Sequence, residues 1–427
     1  MKKILSTILH CLFFGLLPVS AEVLRDAEGR PVRYAGKFNA SKIEVKDCAP
    51  RKGEFRGIWV AVVENIDFRK HNSIQTFKKD FLTLLNNAKN AGFTAVIFQI
   101  RSNCDAFYNT RLAPWSRWMT GKEGVGLGKF DPLHFMITET HKKGMEFHAW
   151  FNPYRVIGNT KLDKITYLST LAPNNFARQN PQYVLVKKNP AGNQLFLDPG
   201  MPQVVDHLCA VVDEVGRNYA VDAIHFDDYF YPYEKLGNED QHTFRRYNSG
   251  KLNLDDWRRK NTNTLIYNIK LTVSRINIEQ KRHIRFGVSP FGIWANKATV
   301  KSVSLTGGKE SYTTLFADTR RWVKDGYVDY IAPQIYWDFN HDVAAYAALT
   351  DWWCSVVRGT RCKLYIGIGA YNGGKWQAQE LVNQMRYNRM RTQISGAAFF
   401  SYRSFFGAER NTGAVKLLEY LRMSQIL

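Results

Sequence analysis

Short runs rich in β-branched and aromatic residues recur along the chain at Arg56–Val63, Thr94–Arg101, Met145–Phe151, Val221–Asp227, Arg285–Phe291, Val328–Tyr336, Lys363–Ala370 and Gly396–Tyr402. Each is almost continuously apolar, the pattern of a strand buried on both faces. Between them apolar residues return every three or four positions. Phe77, Phe81, Leu84, Leu85 and Ala88 make one such helical stripe, and Val204, Val205, Leu208, Val211, Val212 and Val215 a second. Leu265, Ile269, Val273 and Ile276 make a third; further helical signals follow the sixth and seventh runs, and Ala414–Leu421 closes the series. Ala91-Gly92, Lys143-Gly144 and Asp325-Gly326 put glycine where a helix must stop before the next strand. Eight strands alternating with helices predict an α/β fold, a (β/α)8 TIM-type barrel over residues 55–425. A doubly wound sheet is the competing fold, but no glycine-rich phosphate turn supports it.

The ends add to this picture. Lys2 and Lys3 precede an apolar run from Ile4 to Leu17, and Val19-Ser20-Ala21 supplies small residues for cleavage, so residues 1–21 read as a secretory signal. The run is too short to span a membrane, and no stable membrane insertion is expected. Residues 22–54 are polar and read as an irregular leader. Once Lys2 and Lys3 are gone, the formal charge falls from +21 to +19. Such a balance favours anionic partners, yet the basic residues are scattered and no nucleic-acid module is present, so nucleic acid is not expected. Removing Cys11 leaves five cysteines, an odd number, of which Cys354 and Cys362 are near enough for a local disulfide. No cysteine or histidine spacing suits a metal; His134, His141 and His148 recur every seven residues and read as chance on a helix surface. Neither metal nor cofactor is expected.

In such barrels the active site lies on the loops that follow the strands. The connections Ser102–Phe130 and Asn152–Gly200 are too long to be plain links and are expected to wall a cleft. Strand four ends His225-Phe226-Asp227-Asp228-Tyr229-Phe230-Tyr231-Pro232. Two adjacent carboxylates at a barrel mouth repel each other and lose solvation, which raises a pKa and marks candidate catalytic acids. Strand alternation turns His225 and Asp227 inward, and Asp228 outward unless the chain has already left the strand. The other strand ends carry polar groups among aromatics: Gln99, Arg101 and Asp105; Trp150, Asn152 and Arg155; Trp294; Gln334, Tyr336, Trp337 and Asp338; Tyr402 and Arg403. Aromatic faces with amide, carboxylate and guanidinium groups suit carbohydrate. Asp105, Asp338 and Asp67 are candidates for a second carboxyl beside the strand-four pair. An N-acetyl sugar offers another route, with its own acetamide as nucleophile.

Five ordered blocks carry a resemblance: Arg56-Gly57-Ile58-Trp59-Val60-Ala61, Ala149 to Arg155, Ile224 to Pro232, Ser289 to Trp294, and Pro333 to Trp337. They resemble the signature blocks of glycosyl-hydrolase-like family 10, exported bacterial barrel proteins of which some act on peptidoglycan glycan strands stripped of peptide. The chain departs from that pattern at Ser102-Asn103-Cys104. The resemblance implies an exported, soluble glycoside hydrolase, periplasmic or secreted, with a polysaccharide partner. A non-catalytic glycan-binding barrel is the alternative, because Tyr229 stands where similar chitinase-like barrels have a glutamate proton donor.

Overall fold

The computed structural model describes residues 20–37, 39–300, 303 and 305–423, so most of the expected signal segment, residues 1–21, lies outside the described residues. Among these, eight parallel strands close into a barrel in chain order: β1 (Phe55–Val60), β2 (Ala95–Arg101), β3 (Glu146–Phe151), β4 (Ala223–Phe226), β5 (Arg285–Val288), β6 (Tyr330–Ile331), β7 (Lys363–Gly369) and β8 (Ile394–Phe400). Each is followed by an outer helix: α1 (Ile74–Asn90), α2 (Pro132–Lys142), α3 (Pro202–Asn218), α4 (Leu254–Gln280), α5 (Thr319–Lys324), α6 (Tyr346–Val357), α7 (Glu380–Arg389) and α8 (Thr412–Met423). The expected stripes are the buried faces of α1, α3 and α4. Ser73 caps α1 and Asp131 caps α2, each accepting a backbone N–H from the first turn. Gly92, Gly144 and Gly326 take the left-handed conformation after α1, α2 and α5.

The strands are shorter than the apolar runs. β4 stops at Phe226, so the chain has left the strand before Asp227. Pro290 and Pro333 lack the N–H a ladder needs, and β5 and β6 end before them, although Gln334 still bonds back to the Pro290 carbonyl. Large rings and small residues share the barrel interior. Phe55, Trp59, Trp150, Tyr330 and Tyr365 fill space left by Ala95, Ala223, Ala332 and Ala398.

The irregular leader expected at residues 22–54 is corrected. Residues 22–54 carry an antiparallel pair, Glu22–Val23 against Glu44–Val45, whose Leu24, Ile43 and Val45 enter the main core. The connection Asn152–Gly200 holds a three-stranded antiparallel sheet, with Gly192–Leu197 between Arg155–Thr160 and Val184–Asn189. Cys354 and Cys362 are buried free thiols. Of the three spaced histidines, His134 and His141 lie exposed on α2 but His148 is buried on β3. No helix among the described residues is long and apolar enough to cross a membrane.

Gly287 on β5 shows how tightly the interior is filled. A Cβ there would lie 2.1 Å from the ring of Tyr330. Gly287→Ala is therefore expected to destabilise the fold by about 1–3 kcal/mol or more, read as a lower urea midpoint; an unchanged midpoint would mean the interior can give way.

Candidate active site

At the C-terminal ends of the strands the barrel opens into a cavity of about 260 Å³. Asp227 and Asp228 line it, both buried, and among the described residues they are its only carboxylates. The turn after β4 brings both side chains to the same space, which strict alternation along a strand would not. Asp227 Oδ2 accepts from Trp150 Nε1 at 3.0 Å and from Asn152 Nδ2 at 3.0 Å. Asn152 Oδ1 in turn accepts the backbone N–H of Arg155 at 2.9 Å, which fixes its amide. Asp228 Oδ2 accepts the hydroxyl of Tyr233 at 2.5 Å, and the Gln334 side chain is a second partner.

Burial governs the charge of this pair. It pushes Asp227 up to about 7, with Arg155 opposing and Asp228 adding to the shift. It also raises Asp228, against the hydrogen bonds from Tyr233 and Gln334. Two carboxyls this close in a dry site titrate as a unit, and the pair keeps a proton well above the ordinary carboxylate range.

The walls are aromatic. Trp59 meets Phe400, which in turn meets Tyr336 and Tyr371, while Trp150, Tyr229 and Tyr233 stand beside the acids. The Arg155 guanidinium lies 3.9 Å over the Tyr229 ring and also faces the cavity. Gln99 spends its amide oxygen on the backbone N–H groups of Val62 and Val63, leaving Nε2 without a protein partner. The loop carrying Tyr229 and Tyr233 is tied to α4 by Arg258. That side chain donates to both oxygens of Asp240, at 2.8 and 2.6 Å, and to the carbonyls of Leu236 and Gly237.

Eight of the candidate residues thus meet in the cavity: Gln99, Asp227, Asp228, Trp150, Arg155, Tyr229, Gln334 and Tyr336. Asn152 holds Asp227 from behind, and His225 lies beneath the floor, bonded to Trp59 and Ser289. Eight others are placed elsewhere. A bulge between Gln99 and Arg101 sets Gln99 against Trp150 but Arg101 against Phe151, which turns Arg101 toward the helices. Asp105 folds its own loop, accepting from the Ser102 and Asn103 N–H groups. Asp338 lies by the N-terminal segment near Leu24 and Arg25. Trp337 faces away from its neighbour Tyr336 and packs edge-on against Phe291. Trp294 donates to Asp318 and stacks on Trp352. Tyr402 accepts from Asn87, and Arg403 pairs with Glu409. Asp67 joins β1 to β8 through Ala61, Ser401 and Arg403. Sequence reasoning does not single out Trp59, Tyr233, Ser289, Tyr371 and Phe400 as site residues. Applying the strand-end rule to β7 and β8 finds Tyr371 and Phe400. Of the two long connections, Ser102–Phe130 contributes no wall to this cavity.

A parallel barrel with paired buried acids in an aromatic cavity at its C-terminal mouth defines a glycoside-hydrolase type of architecture. The comparisons with known proteins agree. The model of the family described as "Glycosyl hydrolase-like 10" matches residues 54–383, and this chain belongs to that family. It is 41% identical over 360 residues to "Glycosyl hydrolase YngK" of Bacillus subtilis, covering 82% of this chain and 68% of that one. It is 39% identical over 371 residues to "Glycosyl hydrolase DigH" of Escherichia coli, covering 81% and 82%. Among solved structures the fold is similar to the catalytic domain of β-amylase from Paenibacillus polymyxa, with TM-score 0.54, 13% identity and coverage of 88% and 99%. It is also similar to the PgaB (BpsB) glycoside hydrolase domain from Bordetella bronchiseptica, with TM-score 0.50, 11% identity and coverage of 86% and 98%.

The raised Asp227 carboxyl has a consequence for stability. Below about pH 4 it is protonated in both folded and unfolded chains, so nothing is lost there. As pH rises toward about 7, the unfolded chain ionises while the folded one cannot, and stability falls. The melting temperature of Asp227→Asn relative to wild type should therefore be more favourable at pH 8 than at pH 4. A difference independent of pH would show that Asp227 is not held protonated.

Proposed function

We propose that the chain is an exported glycoside hydrolase that cleaves N-acetylated bacterial glycan, with peptide-free peptidoglycan strands as substrate. The observation that carries this reading is the pair Asp227 and Asp228, the only carboxylates among the described residues that line the aromatic cavity. Two-carboxylate hydrolysis spaces its groups ~5–5.5 Å apart for retention and ~6.5–9.5 Å for inversion, usually across the sugar from each other. Adjacent residues on one turn suit a different division of labour. Asp228 gives its proton to the leaving oxygen, while Asp227 orients the substrate's acetamide, whose oxygen attacks the anomeric carbon; water then attacks the same carbon, re-forming the acetamide and returning a proton to Asp228. No third carboxyl is needed. The export part of the proposal rests on Lys2, Lys3 and the apolar run that follows them.

Substrate charge is read by Arg155. Arginine meets a lactyl carboxylate with paired hydrogen bonds that a neutral hydroxyl cannot match. Arg101 and Arg403 lie elsewhere, so among the described residues one guanidinium, that of Arg155, faces the cavity.

Three outcomes are expected. Asp228→Asn, shown folded by circular dichroism, should lose roughly 10²–10⁴-fold in rate on purified strands, with products identified by mass. Retention of more than about a tenth of the wild-type rate would remove Asp228 from the acid role, since loss of an acid costs far more. Chemically de-N-acetylated strands should be cleaved far more slowly than acetylated ones; equal rates would exclude the acetamide as nucleophile. Arg155→Met should reduce the preference for lactyl-bearing strands over chitin oligomers by roughly tenfold or more, measured as a ratio of kcat/KM values. Binding without any turnover by the wild-type protein would favour the glycan-binding alternative.

A further inference from the structure

Beneath the cavity floor a line of polar groups runs down the axis of the barrel. His225 on β4 and His148 on β3 are completely buried, and the Tyr330 hydroxyl of β6 bridges their Nδ1 atoms, at 2.9 and 3.0 Å. At the upper end His225 Nε2 lies 3.2 Å from Trp59 Nε1 and 3.0 Å from Ser289 Oγ, and both residues line the cavity. At the lower end His148 Nε2 lies 3.1 Å from Glu146 Oε2, on a side chain 40% exposed at the opposite mouth of the barrel. Arg285 donates to the same carboxylate oxygen at 2.6 Å and approaches His148 Nε2 at 3.3 Å.

The two ends leave the line one direction. The Trp59 indole can only donate, so His225 Nε2 carries no proton and its Nδ1–H donates to Tyr330. The Tyr330 hydroxyl then donates to His148 Nδ1, and His148 Nε2–H donates to the Glu146 carboxylate. The reverse order sets an N–H of His225 against that of Trp59, and a lone pair of His148 against a carboxylate. Its sole gain at the lower end is the longer contact from Arg285. Burial favours the neutral form of both rings, as the one-way order requires. The His148 and Arg285 contacts, working against burial, hold Glu146 ionised at about 2.

We propose that Glu146 and Tyr330 are positioning residues that act at a distance: through this one-way hydrogen-bond chain they set the tautomer of His225 and thereby the plane of the Trp59 indole at the cavity floor. The consequence for glycan rests on the proposed function; the chain itself does not. Glu146 lies outside every block that carries the family resemblance, at the end of the barrel where strand residues are expected to serve stability alone.

The test uses the full chain labelled with ¹⁵N at histidine, read by long-range ¹H–¹⁵N spectra and assigned through contact with the Trp59 indole proton. Wild type should show His225 protonated at Nδ1 and His148 at Nε2. In Tyr330→Phe, His225 should switch to the Nε2–H form and donate to Ser289, moving the Trp59 indole proton resonance. In Glu146→Met, Arg285 becomes the donor at the lower end and His148 should switch to Nδ1–H. This second variant, at a half-exposed site, decides the matter should Tyr330→Phe fail to fold. Glycan dissociation constants in an Asp228→Asn background should rise about three- to tenfold with either change. An Nε2–H tautomer at His225 in wild type would overturn the proposal. So would switched tautomers with unchanged glycan affinity. A wild-type chain that binds no glycan would sink the proposed function, while the tautomers would still decide the chain.

Discussion

Desolvation of two neighbouring carboxyls is the constraint on which the site depends. An ion the size of a carboxylate loses several kcal/mol on burial even after the protein relaxes, and Asp227 and Asp228 are both buried with no cation paired to either at salt-bridge distance among the described residues. The ionic strategy used elsewhere in this chain is different. Asp240 is equally buried but sits in the fork of Arg258, and Glu54 is held by Arg389. At the cavity the acids receive neutral donors instead, from Trp150, Asn152, Tyr233 and Gln334. Neutral donors orient a carboxyl without forcing it to ionise, which is the state an acid near neutral pH needs.

The rest of the architecture keeps those donors in place. Trp150 and Asn152 come from the end of β3, where strand and insertion sheet meet, so their positions follow the barrel itself. Tyr233 comes from a loop and depends on Arg258, whose bonds to Asp240, Leu236 and Gly237 pin that loop to α4. Below, glycine at position 287 lets the Tyr330 ring stand across the barrel, where it also carries the hydroxyl between His148 and His225. Packing and polarity in the interior are therefore one arrangement, with the rings that fill the barrel supplying the hydrogen bonds beneath the cavity.

Much of this is legible in the order of the residues. Buried parallel strands read as apolar runs and outer helices as stripes, so all eight repeats and the acidic end of β4 follow from the pattern. Side-chain direction beyond the strands does not. Arg101 fails as a cavity residue because a single bulge places Ile100 and Arg101 on the same side, and no periodicity signals a bulge. Tyr336 and Trp337 look equivalent in sequence, yet adjacent residues face opposite ways and Tyr336 alone meets the cavity. Asp105 and Asp338 look like catalytic partners until local bonds and the packed N-terminal segment account for their positions. The polar line in the interior escapes a reading by spacing because His148, seven residues beyond His141, belongs to a strand and not to the helix that carries His134 and His141.

The chemistry rests on one proton that burial holds on the aspartate pair near neutral pH. The most direct measurement is a carbon-13 NMR titration of side-chain carboxyls in the aspartate-labelled chain, with the pair assigned from Asp227→Asn and Asp228→Asn. One carboxyl resonance of the pair should remain in the protonated form up to about pH 7, and its titration should depend strongly on its neighbour. Two independent titrations near the ordinary carboxylate value, ~3.9, would contradict it.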